Sequence, residues 1–563
     1  MPDAVAIACP GRSEVAGDNM YDACSFAQLH DDATAVARGL VELGVQPGDR
    51  LALLVRPGIE FVELVFGLLR SGATAVLIDP GMGRRQLLDS LAAINPDGFV
   101  AISPAHAMRS LIGGRFPAAR FNVTVGRRWF WGGKTLVQLL RQGRKSQASL
   151  PTTLADDPAA IIFTSGSTGP PKGVLYTHQM FDTQVAEIGR RYDIHPGTID
   201  LACFALFGLF NSALGVTTVF PKIDFSRPAA AKPVNLLAAA RDWQVTQAFA
   251  SPAVWDNLSH YCLQHDERIP TLHKIFSCGA PVPADVLRQT LACVRSDAQM
   301  HTPYGATECL PVATIEAGEV LSETALLTEQ GAGVCVGSKF GSIDWKVIRI
   351  TDKPIPSIAE TEELPNGEIG ELIVRGPQAS PEYVTLDASG NASQSPSDIN
   401  SNSLAKIADG NSFWHRLGDV GTLDQTQRFW YCGRKAHRVE LGDGRLFTIP
   451  TEAVFNAHPR VRRSALVGVG ERDCQTPVLV VELQPESDEV HKKRPEARWP
   501  QIESELRELG QKSETLRQIT HFLRHPNLPV DVRHNAKINR ELLAHWAAQQ
   551  LPRRSGQPPT SGS

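Results

Sequence analysis

The feature that most constrains the fold is a regular exchange of short apolar runs with amphipathic helical patterns through the first half of the chain. Phe26–Gly44 keeps the helical period and stops at a glycine, and Asp49–Val55 then reads as a strand. Glu60–Ser71 is a second helix, and Ala73–Ile78 is a strand closed by Asp79 and Pro80. Gly98–Ile102 and Ala160–Thr164 are further strands. Strands separated by helices of this length pair in parallel, and the crossover helices cover both faces of the sheet. The expected class is α/β, with a large N-terminal domain, 1–434, of helix-covered, mostly parallel sheets. A polar join at Arg434–Arg438 precedes strands at Ser464–Val469 and Val478–Gln484 and a helix over Trp499–Ile519. These predict a smaller α+β domain over 435–550. Ala379–Ser412 holds eight Ser and four Asn in 34 residues, which predicts a flexible loop over 379–412. Residues 551–563 (LPRRSGQPPTSGS) read as a disordered tail. No short fixed-period repeat is present.

A chain of 563 residues is too long for one small core, and 42% AVILMFWYC with 21% DEKR is a globular composition. Lys and Arg (56) nearly balance Asp and Glu (60), which argues against a nucleic-acid binder. Ten cysteines without a CxxC pair read as reduced thiols of a cytoplasmic protein and argue against a zinc site. Cys203, Cys262, Cys278 and Cys293 all sit in apolar surroundings. The N-terminus lacks the basic-then-apolar pattern of an export signal. Leu201–Phe220 is twenty residues without a charge, long enough to span a membrane. Gly208, Asn211, Ser212, Gly215, Thr217 and Thr218 interrupt it, so it reads instead as a buried strand–turn–helix–strand passage.

The chemistry-bearing motif is TSGSTGPPKG, following the apolar strand AAIIF. Its small residues Thr164, Ser165, Gly166, Ser167, Thr168 and Gly169 let backbone N–H groups approach a polyphosphate, and Lys172 adds a charge. It is not a Walker loop, because Lys172 follows a proline and no Ser or Thr comes after it.

This segment resembles the phosphate loop of the adenylate-forming superfamily of acyl-CoA synthetases, luciferases and nonribosomal adenylation domains. Further motifs follow in the superfamily's order: SCGAP at Ser277–Pro281, YGATE at Tyr304–Glu308, WHRLGD ending at Asp419, Gly433-Arg434, and NAKINR at Asn535–Arg540. The resemblance implies that ATP is bound by the loop, by Gly279, Ala280 and Pro281, and by Tyr304 and Gly305, with adenine stacked on Tyr304. It implies that Asp419 and Arg434 hold the ribose, Thr307 bonds phosphate, Glu308 binds Mg²⁺, and Lys537 is the catalytic lysine. It also implies a mobile C-terminal domain. The roles are physically sensible. A carboxylate attacking the α-phosphate of ATP brings two anions together, so cations must bridge them. Without the resemblance Lys537 would read as a solvated surface lysine; for Asp419 the competing reading is a turn residue after glycine.

Four departures from the superfamily pattern narrow the choice. ALFGLF lacks the usual histidine, Ala436 replaces the usual charged hinge residue, Gly442-Asp443-Gly444 lengthens the following stretch, and NAK replaces SGK or GGK. With YGATECLPVATIEAGEVL and FTIPTEAVFNAHP, these features resemble the β-lactone synthetases of bacterial long-chain olefin biosynthesis. That implies adenylation of a long-chain 2-alkyl-3-hydroxy acid, then closure of a β-lactone by its own hydroxyl. The alternative is a long-chain acyl-CoA synthetase. A thiolase, a reductase and a β-lactone decarboxylase are the implied neighbours. Phe204, Phe207, Phe210, Phe249 and Trp255 are the acyl-pocket candidates, with core packing as the competing reading. His178 and His301 lie near the motifs but read as structural. Trp129-Phe130-Trp131, after Arg127-Arg128, either packs under a loop or touches a membrane or partner.

Overall fold

The alternation folds into two large sheets that carry the expected parallel strands. The computed structural model describes residues 1–11, 20–78, 82–112, 114–164, 172–384, 396–485, 498–530 and 538–551. One sheet has eight strands, in the order Tyr383–Val384, Lys172–Thr177, Pro158–Thr164, Thr74–Leu77, Arg50–Leu54, Gly98–Ile102, Phe121–Val125, Lys134–Thr135. From Pro158–Thr164 onward all its pairings are parallel, while Lys172–Thr177 runs antiparallel to both its neighbours. The other has nine strands. Its centre is the parallel series Gln299–Ala306, Lys274–Ser277, Gln247–Ala250, Ile199–Ala202, Thr217–Val219 and Val5–Pro10.

The covering helices follow from local sequence. Phe26–Leu43 starts on a capping box between Ser25 and Gln28 and stops at Gly44, whose φ of +96° is left-handed. Gly67 lets this helix pack closely on Ile59–Arg70, because a Cβ there would stand 2.3 Å from Val36. The uncharged stretch resolves into strand Ile199–Ala202, helix Phe207–Leu214 and strand Thr217–Val219. Among the described residues no helix is long and apolar enough to cross a membrane.

A third sheet of six strands, between residues 334 and 434, is antiparallel throughout. It corrects the reading of 379–412 as a flexible loop. Tyr383–Val384 is a short strand, Pro396–Ala405 a helix and Lys406–Asp409 a strand paired with Ser412–Leu423. Two interactions beat the polar composition. Asn402 accepts from the Tyr383 N–H at 2.8 Å and donates to its carbonyl at 3.0 Å. Ile407 and Trp414 bury themselves with Ile348 and Ile373. Residues 385–395 of that stretch, and 552–563 of the expected tail, lie outside the described residues.

Beyond Arg434 a smaller unit forms around the three-stranded sheet Val461–Val469, Thr476–Leu483 and His521–Arg524. The expected helix over Trp499–Ile519 is shorter, ending at Gln511 just after the poor helix former Gly510. A separate 3-10 turn follows at Leu516–Gln518. The join is a 3-10 turn, Lys435–His437, tied on both sides. Lys435 pairs with buried Glu371 at 3.0 Å, and Arg438 pairs with Asp352 at 2.6 Å. None of the ten cysteines forms a disulfide. In the aromatic cluster Trp131 is buried, stacks on His106 and donates to Thr124, whereas Trp129 and Phe130 are exposed.

Candidate active site

The C-terminal ends of the parallel strands open onto one cavity of about 1120 Å³. Ligands bind at this edge of α/β sheets because the strand-to-helix loops there can vary while the strands stay fixed. Motifs far apart in sequence meet at it.

At one end, Tyr304 on strand Gln299–Ala306 donates its phenol proton to Asp419 at 2.5 Å. Burial and the adjacent carboxylate push the phenol well up, so it remains a neutral donor. Asp419 follows Gly418, whose φ of +72° only glycine adopts readily, and this kink in strand Ser412–Leu423 carries the carboxylate into the cavity. The Arg434 guanidinium lies 3.1 Å from Asp419 and donates to the Leu417 carbonyl at 2.9 Å. Gly279, Ala280, Pro281 and Gly305 line the same end. The result is a tyrosine ring beside a carboxylate–guanidinium pair, groups able to stack on a base and to accept from a diol.

Next to it, Thr307 and Glu308 form the turn between strands Gln299–Ala306 and Cys309–Glu316. Tyr176 pins the turn by donating to the Thr307 carbonyl at 2.6 Å. Tyr383 donates to Glu308 Oε1 at 2.8 Å, and the Lys172 ammonium lies 5.0 Å from the Tyr383 ring centre. Lys172 is brought there by its register opposite Thr164. Ser165, Gly166, Ser167, Thr168, Gly169 and Lys537 lie outside the described residues. Among the described residues no three metal-ligating side chains gather, and Glu308 lines the cavity. One carboxylate, with substrate oxygens and water, fits Mg²⁺ better than any metal needing a full protein cage.

Sequence reasoning missed Tyr383, Lys406 and His415. Lys406 donates to the Ser380 carbonyl and lies 3.0 Å from His415 Nδ1. Burial pushes its ammonium down to about 7, against the opposing pull of Glu308. Burial and Lys406 also hold His415 neutral. Tyr383 and Lys406 belong to the stretch read as a loop, and only the histidine of WHRLGD carried a signal.

The other end of the cavity is apolar. Phe204, Phe207, Phe210 and Phe249 line it, with Phe207 stacked on Phe249 at 3.7 Å. Trp255 does not. It lies in the core with Ala248, Leu258 and Leu287, only 2% exposed, its indole donating to the Phe276 carbonyl at 3.0 Å. The core reading was the correct one for that residue. His178 and His301 are not among the lining residues. His301 packs against Tyr192 and Phe276, where burial lowers it to about 4.

A cavity with Tyr304, Asp419 and Arg434 grouped together, an acidic turn and a phenylalanine-lined arm fits a carboxylate-activating protein, and comparison with known families agrees. The family model described as AMP-binding enzyme matches residues 1–384, and the chain belongs to that family. Within it, the chain is 44% identical over 551 residues to the olefin beta-lactone synthetase of Xanthomonas campestris, covering 98% of this chain and 95% of that protein. It is 42% identical over 557 residues to the enzyme of the same name from Stenotrophomonas maltophilia, covering 98% and 97%. Among solved structures it resembles the amide bond synthetase McbA from Marinactinospora thermotolerans, with TM-score 0.74, 19% identity and 97% of each chain covered. ATP-bound MatB from Rhodopseudomonas palustris gives TM-score 0.73 at 19% identity, with 98% of this chain and 97% of that chain covered. At such identities these two likenesses speak for the fold.

Proposed function

We propose that the chain adenylates a long-chain 2-alkyl-3-hydroxy acid with ATP and closes the product to a β-lactone. The observation that carries this reading is identity of 42–44% along 98% of the chain to olefin beta-lactone synthetases. The cavity, polar at one end and aromatic at the other, fits it.

In the first step a carboxylate oxygen of the substrate attacks the α-phosphorus, and pyrophosphate leaves. Tyr304 and the Gly279–Pro281 turn hold the adenine, and Asp419, kept in place by Arg434, accepts the ribose hydroxyls. The loop 164–173 and Thr307 take the phosphates, and Lys537 bridges the two anionic reactants. Glu308, oriented by Tyr383, would hold Mg²⁺ with phosphate oxygens. When bound, the ion screens the charge that develops on the leaving group. In the second step the 3-hydroxyl oxygen attacks the acyl carbon of the same molecule, the hydroxyl loses its proton and AMP leaves. Because both groups belong to one molecule, a high effective concentration replaces a second substrate.

The units 1–434 and 435–550 are the two working parts, with Ala436 in the turn just past their junction. Ten cysteines without a disulfide suit a reducing compartment, the cytoplasm. A thiolase, a reductase and a β-lactone decarboxylase would stand on either side of the reaction. The test is product analysis by NMR, with ATP, Mg²⁺ and a 2-alkyl-3-hydroxy acid, with and without coenzyme A. A four-membered lactone in both reactions is expected. A thioester that forms only with coenzyme A would make the chain a long-chain acyl-CoA synthetase.

A further inference from the structure

Polar side chains line the cavity beside the phenylalanines. Asp200 and Gln247 are register partners on adjacent parallel strands, as are Ala202 and Phe249 two residues further on. Side chains two apart share a face of a sheet, so Gln247 lies one step deeper than Phe249. Asn211 lies on helix Phe207–Leu214, one turn beyond Phe207. All three polar residues line the cavity, and all are buried, at 1%, 3% and 4% exposure for Asp200, Gln247 and Asn211.

Their hydrogen bonds are incomplete. Asn211 donates to one oxygen of Asp200 at 2.8 Å, and Gln247 donates to the other at 3.0 Å. Both amide donors are thus turned toward the carboxyl, and Gln247 Oε1, a buried acceptor, has no partner among the described residues. No cation pairs with Asp200 among the described residues, and burial lifts its carboxyl to about 6. A buried acceptor left without a donor is costly, and a substrate that supplies the donor recovers that cost. A methyl group pressed against the cluster does not.

We propose that Asp200, Asn211 and Gln247 form a subsite that ends one acyl arm and reads the group at its tip. It turns away hydrocarbon tails long enough to reach it and accepts a hydrogen-bond donor, such as a terminal hydroxyl, delivered to Gln247 Oε1. This rests on the proposed acyl substrate. It adds a specificity device that the phenylalanine-lined wall alone does not provide.

The test uses the full chain with ATP, Mg²⁺ and 2-alkyl-3-hydroxy acids in which each arm in turn is lengthened by single methylenes. Each acid is made with a methyl end and with a hydroxymethyl end. KM is read from pyrophosphate release, and lactone is read separately by NMR. For one arm, KM should fall with length up to a break and then rise by about tenfold, the scale of one unpaired buried polar group. At the break the terminal hydroxyl should lower KM by about tenfold, whereas on shorter chains it should raise it. Gln247→Leu should abolish the advantage of the hydroxyl at the break. If that variant does not fold, the paired series on the native chain decides. A terminal hydroxyl that raises KM at every length of both arms overturns the subsite. Pyrophosphate release without lactone would overturn the proposed second step and leave the subsite standing.

Discussion

Glu308 receives a hydrogen bond from Tyr383 in a turn that Tyr176 holds from the other side. A partner that orients a ligating carboxylate tunes the metal without touching it, and losing such a partner costs roughly 10–100-fold in affinity. Tyr383→Phe should therefore raise the Mg²⁺ concentration needed for half-maximal pyrophosphate release by about tenfold, while saturating Mg²⁺ restores most of the rate. A Mg²⁺ titration of the variant checks this, and an unchanged midpoint would detach Tyr383 from the metal. Glu308→Gln removes the charge and keeps the shape, so turnover should collapse and excess Mg²⁺ should recover only part of it. Lys537→Ala should slow pyrophosphate release by at least about 10², the scale for one preorganised donor, with ATP affinity nearly kept. Normal single-turnover kinetics in that variant would take the lysine out of the mechanism.

Between elements, charge is buried away from the reaction as well. Glu63 on helix Ile59–Arg70 is 6% exposed. Burial, with Asp32 and Glu60 nearby, raises its carboxyl from 4.5 to about 7. As pH rises through that window the unfolded chain gives up this proton before the folded chain does, so stability falls, by about 3 kcal/mol once both forms are ionised. Glu63→Gln should thus leave urea stability near pH 4 almost unchanged and raise it at pH 8 by up to that amount. Equal shifts at both pH values would show that the effect is packing and not ionisation.

The same scale shows what could be read from the chain. Elements with a strong period, such as Phe26–Leu43 and Thr74–Leu77, were legible because burial on one face or both dictates residue type. The Ile199–Val219 passage was legible because glycine and threonine mark its turn and its second strand. The 396–409 helix and strand were not, because Ser and Asn outnumber the two residues, Ile407 and Trp414, that anchor the strand pair. In the site, Tyr304, Asp419 and Arg434 stood in motifs and the structure brings them within hydrogen-bonding distance. Tyr383 and Lys406 stood in no motif: Tyr383 reaches Glu308 because its strand pairs with Lys172–Thr177, and Lys406 is placed by the pairing of Lys406–Asp409 with Ser412–Leu423. Trp255 stood between two readings because an aromatic residue in an apolar run fits a core and a pocket equally well, and the face of helix Pro252–His265 on which it lies decides between them.

For the whole molecule, the claim is that one cavity carries out both half-reactions on one substrate. The join around Ala436 is held by Lys435 on Glu371 and Arg438 on Asp352. An internal nucleophile asks for no second entrance. The most direct measurement follows AMP release by rapid quench for two acids that differ only at the 3-hydroxyl. With the hydroxyl present, AMP should appear together with β-lactone. Without it, one equivalent of pyrophosphate should be released, AMP should stay bound as the acyl-adenylate, and coenzyme A should not speed its departure. If coenzyme A instead accelerates AMP release from the deoxy acid and a thioester accumulates, the central claim is contradicted.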